Sequence, residues 1–204
     1  MRQYLFSPRV LLLGVLAATL GSAVPAQAAV GPLDTSECIE GTFTQPFSAQ
    51  GDGNSYTLLA GQSEAEGFQG TGWELSGGAQ VVTTTLPNGS TGQVLDLPSG
   101  AKAVSPRACV MTNYPTARAY VLALKGQAGV SFQVEYEGKH SWERPKTTGQ
   151  LEGWPGSWTV APQVKLKPGN NVEGWEPMRI TLVGNGTQGE DQVYDLYLDP
   201  RLSH

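Results

Sequence analysis

Residues Tyr56–Val82 have the sequence YTLLAGQSEAEGFQGTGWELSGGAQVV. This pattern predicts a strand from Tyr56 to Ala60, a glycine-rich acidic loop that contains Phe68, and two strands hinged at Gly77-Gly78. Glycine supplies the φ > 0 conformations that such a loop needs, and an indole such as that of Trp73 can cover the edge of an apolar core. The stretch therefore predicts one closed end of a sheet sandwich.

Three later segments alternate apolar and polar residues. Their apolar positions are Val130, Phe132, Val134 and Tyr136, then Met178, Ile180 and Leu182, and finally Tyr194, Leu196 and Leu198. Alternation with a period of two is typical of strands that bury one face and leave the other wet or facing a ligand. We find no helical period after residue 28, so about ten short strands predict an all-β fold, an antiparallel β-sandwich of jelly-roll type.

Three short motifs carry a family resemblance: Gly67-Phe68, Gly72-Trp73 and the terminal VYDLYLDP of residues 193–200. Together they resemble the opening loop and last strand of non-catalytic carbohydrate-binding modules and galactose-binding-like domains. They also resemble a family of uncharacterised secreted bacterial proteins of this kind. The resemblance covers about residues 38–201, and it implies a jelly roll that binds a glycan.

The N-terminal 28 residues have the pattern of a secretory signal peptide. Arg2 and Arg9 precede a short apolar run from Val10 to about Leu20, which is followed by Pro25 and a small-x-small site at residues 26–28. A retained N-terminal anchor is the alternative, whereas the lack of a cysteine at the cleavage point argues against a lipoprotein. The sequence predicts a secreted, extracellular protein with a single sandwich domain over residues 29–204.

The charge balance argues against two classes of partner. The chain has 13 basic and 18 acidic residues, and removal of Arg2 and Arg9 with the signal peptide brings the net charge to −7. An acidic chain lacks the electrostatic attraction to nucleic acid or to an anionic membrane. No later stretch approaches the roughly eighteen apolar residues of a membrane span, so we expect no membrane insertion after cleavage.

Cys38 and Cys109 are the only cysteines. In an exported chain, such a pair predicts one disulfide, with two buried free thiols as the alternative. The closed loop would contribute about 4.4 kcal/mol in the chain-entropy model.

The sequence offers no recognisable catalytic constellation. After the signal peptide, only His140 and the terminal His204 supply imidazoles, and no nucleophile elbow, zinc motif or phosphate loop is present. Asp195 and Asp199 would lie roughly 13 Å apart along a strand. Glycoside hydrolysis needs two acids about 5 to 9.5 Å apart. We therefore expect a protein that is not an enzyme.

Exposed aromatic rings suggest where a sugar would bind. Trp73 and Trp158 are flanked by strand residues and are predicted to be core, whereas Trp142 and Trp154 lie in an irregular stretch over residues 137–156. Indole faces can cover the C–H surfaces of a pyranose while polar neighbours bond its hydroxyls. The predicted ligand-binding residues are Trp142, Trp154, Glu143, Arg144 and Gln150. The alternative is that these rings seal the end of the sandwich.

The resemblance also implies one structural calcium ion, held where the opening loop meets the last strand. The matching residues are Glu64 or Glu66 and Asp195, but Tyr194 stands where the family pattern has a further acid. Because calcium takes six to eight oxygen ligands, we predict a weak or absent site. No other cofactor is expected.

These observations favour a secreted, non-catalytic binding module with a glycan ligand. One alternative is an extracellular structural or cell-surface interaction protein without a small ligand. An unrecognised hydrolase is a third.

Overall fold

The computed structural model describes residues 33–111, 116–126, 129–138, 140–168 and 174–199. The predicted signal peptide and His204 lie outside the described residues. A single 3₁₀ turn, Ser48–Gln50, accompanies sixteen strands in this part of the chain. No helix there is long and apolar enough to cross a membrane.

The strands are, in chain order, β1 Thr57–Leu58, β2 Gln62–Ser63, β3 Gly67–Phe68, β4 Glu74–Ser76, β5 Gln80–Thr85, β6 Thr91–Pro98, β7 Lys102–Val104, β8 Ala108–Met111, β9 Thr116–Lys125, β10 Val130–Tyr136, β11 Lys146–Leu151, β12 Trp154–Pro155, β13 Thr159–Val160, β14 Val164–Lys165, β15 Trp175–Gly184 and β16 Glu190–Asp199. They number more than the expected ten because several predicted loops contain strands of two residues.

These strands form two sheets. The larger has ten strands in the order β12-β9-β16-β6-β3-β2, with β1 on β16, β5 on β6, and β13 and β14 on β9. The smaller has six in the order β11-β10-β15-β7-β4, with β8 on β15. Nearly all pairs are antiparallel; β3 with β6 and β12 with β9 are parallel. The predicted all-β antiparallel sandwich is confirmed.

One apolar cluster joins the two sheets. Leu95, Leu97 and Val121 come from the larger sheet, whereas Phe132 and Ile180 come from the smaller, and all five are fully buried. The predicted inward faces of β10 and β15 are therefore confirmed. Face-to-face packing of this kind leaves each sheet with a second, outer face.

The opening stretch closes one edge of this core, as predicted. Trp73 is 8% exposed, and its ring centroid lies 4.9 Å from that of Phe68. Its Nε1 donates to the carbonyl of Ala60 at 2.9 Å. Gly61 has φ +81, and a Cβ there would come within 2.7 Å of the indole. The acidic loop itself is shorter than predicted, because β2 and β3 pair across it.

The prediction that Tyr194 shares a face with Leu196 and Leu198 is wrong. The register between β16 and β9 shifts between Tyr194 and Tyr197, and Asp195 has φ +48. This bulge adds a residue to one strand. Leu196 and Leu198 remain in the core, but Tyr194 packs on the outer face of the larger sheet.

The stretch of residues 137–156 is more regular than predicted. It contains β11 and β12, which extend the edges of the smaller and the larger sheet respectively. The strand pattern of β11 is hidden because a glycine takes one inward position, where a Cβ on Gly149 would lie 2.7 Å from Val164. A register shift in β10 after Phe132 interrupts the pattern further.

Cys38 and Cys109 form the predicted disulfide, with Cα atoms 5.6 Å apart. Cys109 lies on β8, so the bond attaches the N-terminal segment to the smaller sheet.

Candidate functional site

The outer face of the smaller sheet carries neutral polar side chains. Gln133 lies between Thr147 and Thr181 in register, and Ser131 lies between Gln150 and Val183. These positions alternate with the core residues of β10 and β15, so they point away from the core. We call the surface formed by Ser131, Gln133, Thr181 and Gln150 the polar face.

Trp142 lies at one end of the polar face. Its backbone bridges Glu137, which continues β10, and its half-buried ring lies 4.2 Å from the Cζ atom of Arg179. Arg179 also pairs with the buried carboxylate of Glu135, with N and O 2.9 Å apart. A cation over an indole face is attractive, and the ion pair holds that cation in place. The Trp142 ring is therefore fixed before any ligand arrives.

The N-terminal segment closes the same end of the face. Arg107 pairs with Glu137 at 2.9 Å and with Glu37 at 3.4 Å, and it donates to the carbonyl of Asp34. The disulfide anchors this segment one residue beyond Glu37.

The structure divides the predicted binding residues into two groups. Trp142 and Gln150 both belong to the smaller sheet or its extension. Glu143 and Arg144 follow Trp142 and are exposed, and Glu143 pairs with Lys146 at 2.8 Å. Trp154 is 62% exposed but belongs to β12, at the edge of the larger sheet. That these five residues contact a ligand stays a prediction.

A second concave surface lies on the outer face of the larger sheet. It is a groove of about 640 Å³ lined by Trp158, Tyr120, Arg118, Gln50, Pro87 and Val160. We call it the Trp158 groove. The expectation that Trp158 is core is wrong, because its ring is half-buried there and packs on Tyr194.

The residues proposed for calcium do not fit an ion of this kind. Glu66 accepts a hydrogen bond from Gln69 instead. Glu64 lies beside Asp195 and accepts from Tyr197 at 3.3 Å. Burial first, and then the charge of Glu64, raise the pKa of Asp195 to about 7. Within the described ranges, no three acidic, imidazole or thiol groups cluster for a metal. Weak or absent calcium binding stays a prediction.

Sequence reasoning missed several residues of these surfaces. Gln133 and Thr181 look like ordinary solvent-facing strand positions until the register sets them side by side. Arg118 and Tyr120 alternate with alanines on β9. That alternation marks them as outward-facing, but nothing local shows that Gln50 and Trp158 meet them.

No protein-family model matches the sequence, and no curated protein matches it. Among solved structures, the chain is similar to a family 22 carbohydrate-binding module, a xylan-binding domain from Paenibacillus barcinonensis. The two sequences are 14% identical, the match covers 65% of this chain and 88% of that chain, and the TM-score is 0.44. A family 6 module from Clostridium cellulolyticum in complex with xylose has 14% identity, coverage of 62% and 88%, and a TM-score of 0.41. A β-1,3-glucan-binding family 6 module from Bacillus halodurans has 13% identity, coverage of 63% and 89%, and a TM-score of 0.43. At these values, the similarity establishes neither a common ligand nor a common site.

Proposed function

We propose that this protein is a secreted, non-catalytic module that binds neutral glycans on the polar face. The observation that carries the proposal is the Trp142 ring, fixed over Arg179 at one end of a row of neutral amides and hydroxyls. The predicted signal peptide and the disulfide support export, because disulfides persist in oxidising compartments.

The chemistry of the face matches that of a sugar. A pyranose has an apolar C–H surface that packs against an aromatic ring, and its hydroxyls both donate and accept hydrogen bonds. Gln133 and Gln150 each have an amide that does both, and Thr181, which is 7% exposed, adds a hydroxyl beside Gln133. The face is thus equipped for ring stacking at one end and hydroxyl recognition along its length.

The charges favour a neutral glycan over an acidic one. Arg179 is paired with Glu135, and Arg107 is paired with Glu137 and Glu37. The chain as a whole carries a formal net charge of −5. Paired cations on an acidic protein give little attraction for a polyuronate.

Depletion of the protein by polysaccharides tests the proposal. The probes are xylan and β-1,3-glucan, which two of the similar modules bind, and β-1,4-galactan, with polygalacturonate as the acidic control. We expect at least one neutral polysaccharide to deplete the protein and polygalacturonate to leave it in solution. Depletion by none of the neutral probes would contradict the proposal.

Two variants test whether the glycan binds on the polar face. Gln133→Ala removes an amide, and Thr181→Val removes only a hydroxyl at constant shape. Each should weaken binding by about tenfold, the cost of about one hydrogen bond to a bound ligand. The exposed amide of Gln188 lies in the turn between β15 and β16, so Gln188→Ala is the matched control and should bind like the unmodified protein.

A further inference from the structure

The Trp158 groove is built by segments that are far apart in the sequence. Its floor is β9, where Arg118 and Tyr120 point outward from the larger sheet. The 3₁₀ turn contributes Gln50, the turn after β5 contributes Pro87, and the β13 region contributes Trp158. A concave volume of about 640 Å³ lies within the roughly 300–1,000 Å³ typical of small-molecule sites.

The aromatic walls of the groove are held in place. The Nε1 of Trp158 donates a hydrogen bond to the carbonyl of Thr85 at 2.8 Å. This bond holds the edge of the indole in place while the ring lines the groove. Tyr120 packs against Tyr194 and Phe47, with ring centroids 6.0 and 5.4 Å apart. Because these rings are already fixed, a ligand that stacks on them causes little further loss of conformational entropy.

Arg118 is equally fixed, and its charge is balanced. Its Nε donates to the carbonyl of Ala161 at 2.8 Å, and its Nη1 donates to Asp52 at 2.6 Å. Burial opposes the ionisation of Asp52, but hydrogen bonds from Tyr56, the Asn54 amide and Arg118 outweigh it and lower the pKa of Asp52. The charge of Arg118 in the groove is therefore balanced by Asp52 beside it.

A neighbouring depression extends the groove along the surface. It measures about 530 Å³ and shares Gln50 and Arg118 with the groove, and Asp52, Asn54 and Gln163 line its other side. Aromatic rings line one of these two depressions, and amide groups line the other. This combination suits an extended neutral ligand rich in hydroxyls.

We propose that the Trp158 groove is a second binding site for neutral oligosaccharides, so that one molecule joins two glycan chains. The inference rests on the proposed function for the first site. The polar face and the groove lie on the outer faces of opposite sheets, and stacked sheets are about 10 Å apart. A short oligosaccharide cannot reach both surfaces, so the two sites engage separate chains.

Calorimetric titration of the full chain tests the stoichiometry, with hexasaccharides of xylan and β-1,3-glucan and with β-1,4-galactotriose as probes. We expect about two oligosaccharides per protein and turbidity on mixing with the matching soluble polysaccharide, because bivalent molecules cross-link polymers. Trp158→Leu removes one aromatic wall. Gln50→Ala removes an exposed amide in the groove and is the second variant if the first does not fold.

Trp158→Leu should retain one site and lose the turbidity, Gln50→Ala should weaken the groove site by about tenfold and reduce the turbidity, and Gln188→Ala should behave like the unmodified protein. A stoichiometry of one, with binding that Gln133→Ala weakens and Trp158→Leu leaves unchanged, would overturn the second site and leave the polar face untouched. Unchanged cross-linking by folded Trp158→Leu would do the same. No binding of any probe would overturn both.

Discussion

The guanidinium of Arg179 lies between two partners, the ring of Trp142 at 4.2 Å and the carboxylate of Glu135 at 2.9 Å. Glu135 is 7% exposed, so its charge depends on Arg179 for compensation. This arrangement links the stability of the smaller sheet to the position of the half-buried Trp142 ring.

Arg179→Met should destabilise the protein by roughly 2 to 3 kcal/mol, because it leaves a buried carboxylate unpaired. Adding Glu135→Gln in the same chain should recover much of that loss, since the buried charge is then absent. Urea unfolding of the single and double variants measures both values. A double variant less stable than Arg179→Met would show that the pair does not act as a unit.

Removing the disulfide through Cys38→Ala with Cys109→Ala should lower the free energy of unfolding by about 2 to 4 kcal/mol, because the unfolded chain gains the entropy of an open loop. Reductant should lower the melting temperature of the unmodified protein and leave that of the double variant unchanged. Equal melting of the unmodified protein with and without reductant would contradict this role.

Asp191 should make stability fall as pH rises. Its side chain is 1% exposed, neither carboxylate oxygen has a hydrogen-bond partner, and burial raises its pKa to about 6. The folded state thus binds a proton that the unfolded state releases near pH 4, so stability is lost as pH rises from about 4 through 6.

Asp191→Asn removes this proton linkage. At pH 7 it should be more stable than the unmodified protein by on the order of 2 kcal/mol, and the difference should vanish near pH 4. Thermal melts of both proteins from pH 4 to 8 give this difference directly. An equal gain at both ends of the range would mean that ionisation of Asp191 is not the cause.

Calcium should not stabilise the protein. Burial raises the pKa of Asp195 to about 7, and Glu66 accepts a hydrogen bond from Gln69, whereas calcium takes six to eight oxygen ligands. The melting temperatures in millimolar Ca²⁺ and in excess chelator should agree. A rise of several degrees with Ca²⁺ that Asp195→Ala abolishes would refute this prediction.

Local patterns in the sequence are sufficient to predict much of the fold. The faces of β10 and β15 are predictable because their alternation runs unbroken through the apolar positions that enter the core. The disulfide is predictable because two cysteines in a chain that is predicted to be exported have one simple pairing.

The features that could not be predicted depend on tertiary geometry, which local sequence patterns do not encode. The bulge at Asp195 moves Tyr194 to the outer face, and a residue with φ +48 outside glycine leaves no reliable mark in the sequence. Trp142 and Trp154 look alike as aromatic residues in a polar stretch. In the structure, however, β11 after Trp142 belongs to the smaller sheet, and β12, which contains Trp154, belongs to the larger sheet. The register that brings Gln133 beside Thr181 is set by pairing between distant segments.

Calorimetric titration of Trp142→Ala and Trp154→Ala with the glycan that depletes the unmodified protein tests whether that glycan binds on the polar face. Both substitutions remove an indole from the same class of polar stretch, but only Trp142 lies at the end of the polar face. We expect Trp142→Ala to lose about tenfold or more in affinity at the polar face, the value of one stacked aromatic ring, and Trp154→Ala to bind there like the unmodified protein. Undiminished binding by a folded Trp142→Ala variant would contradict the account.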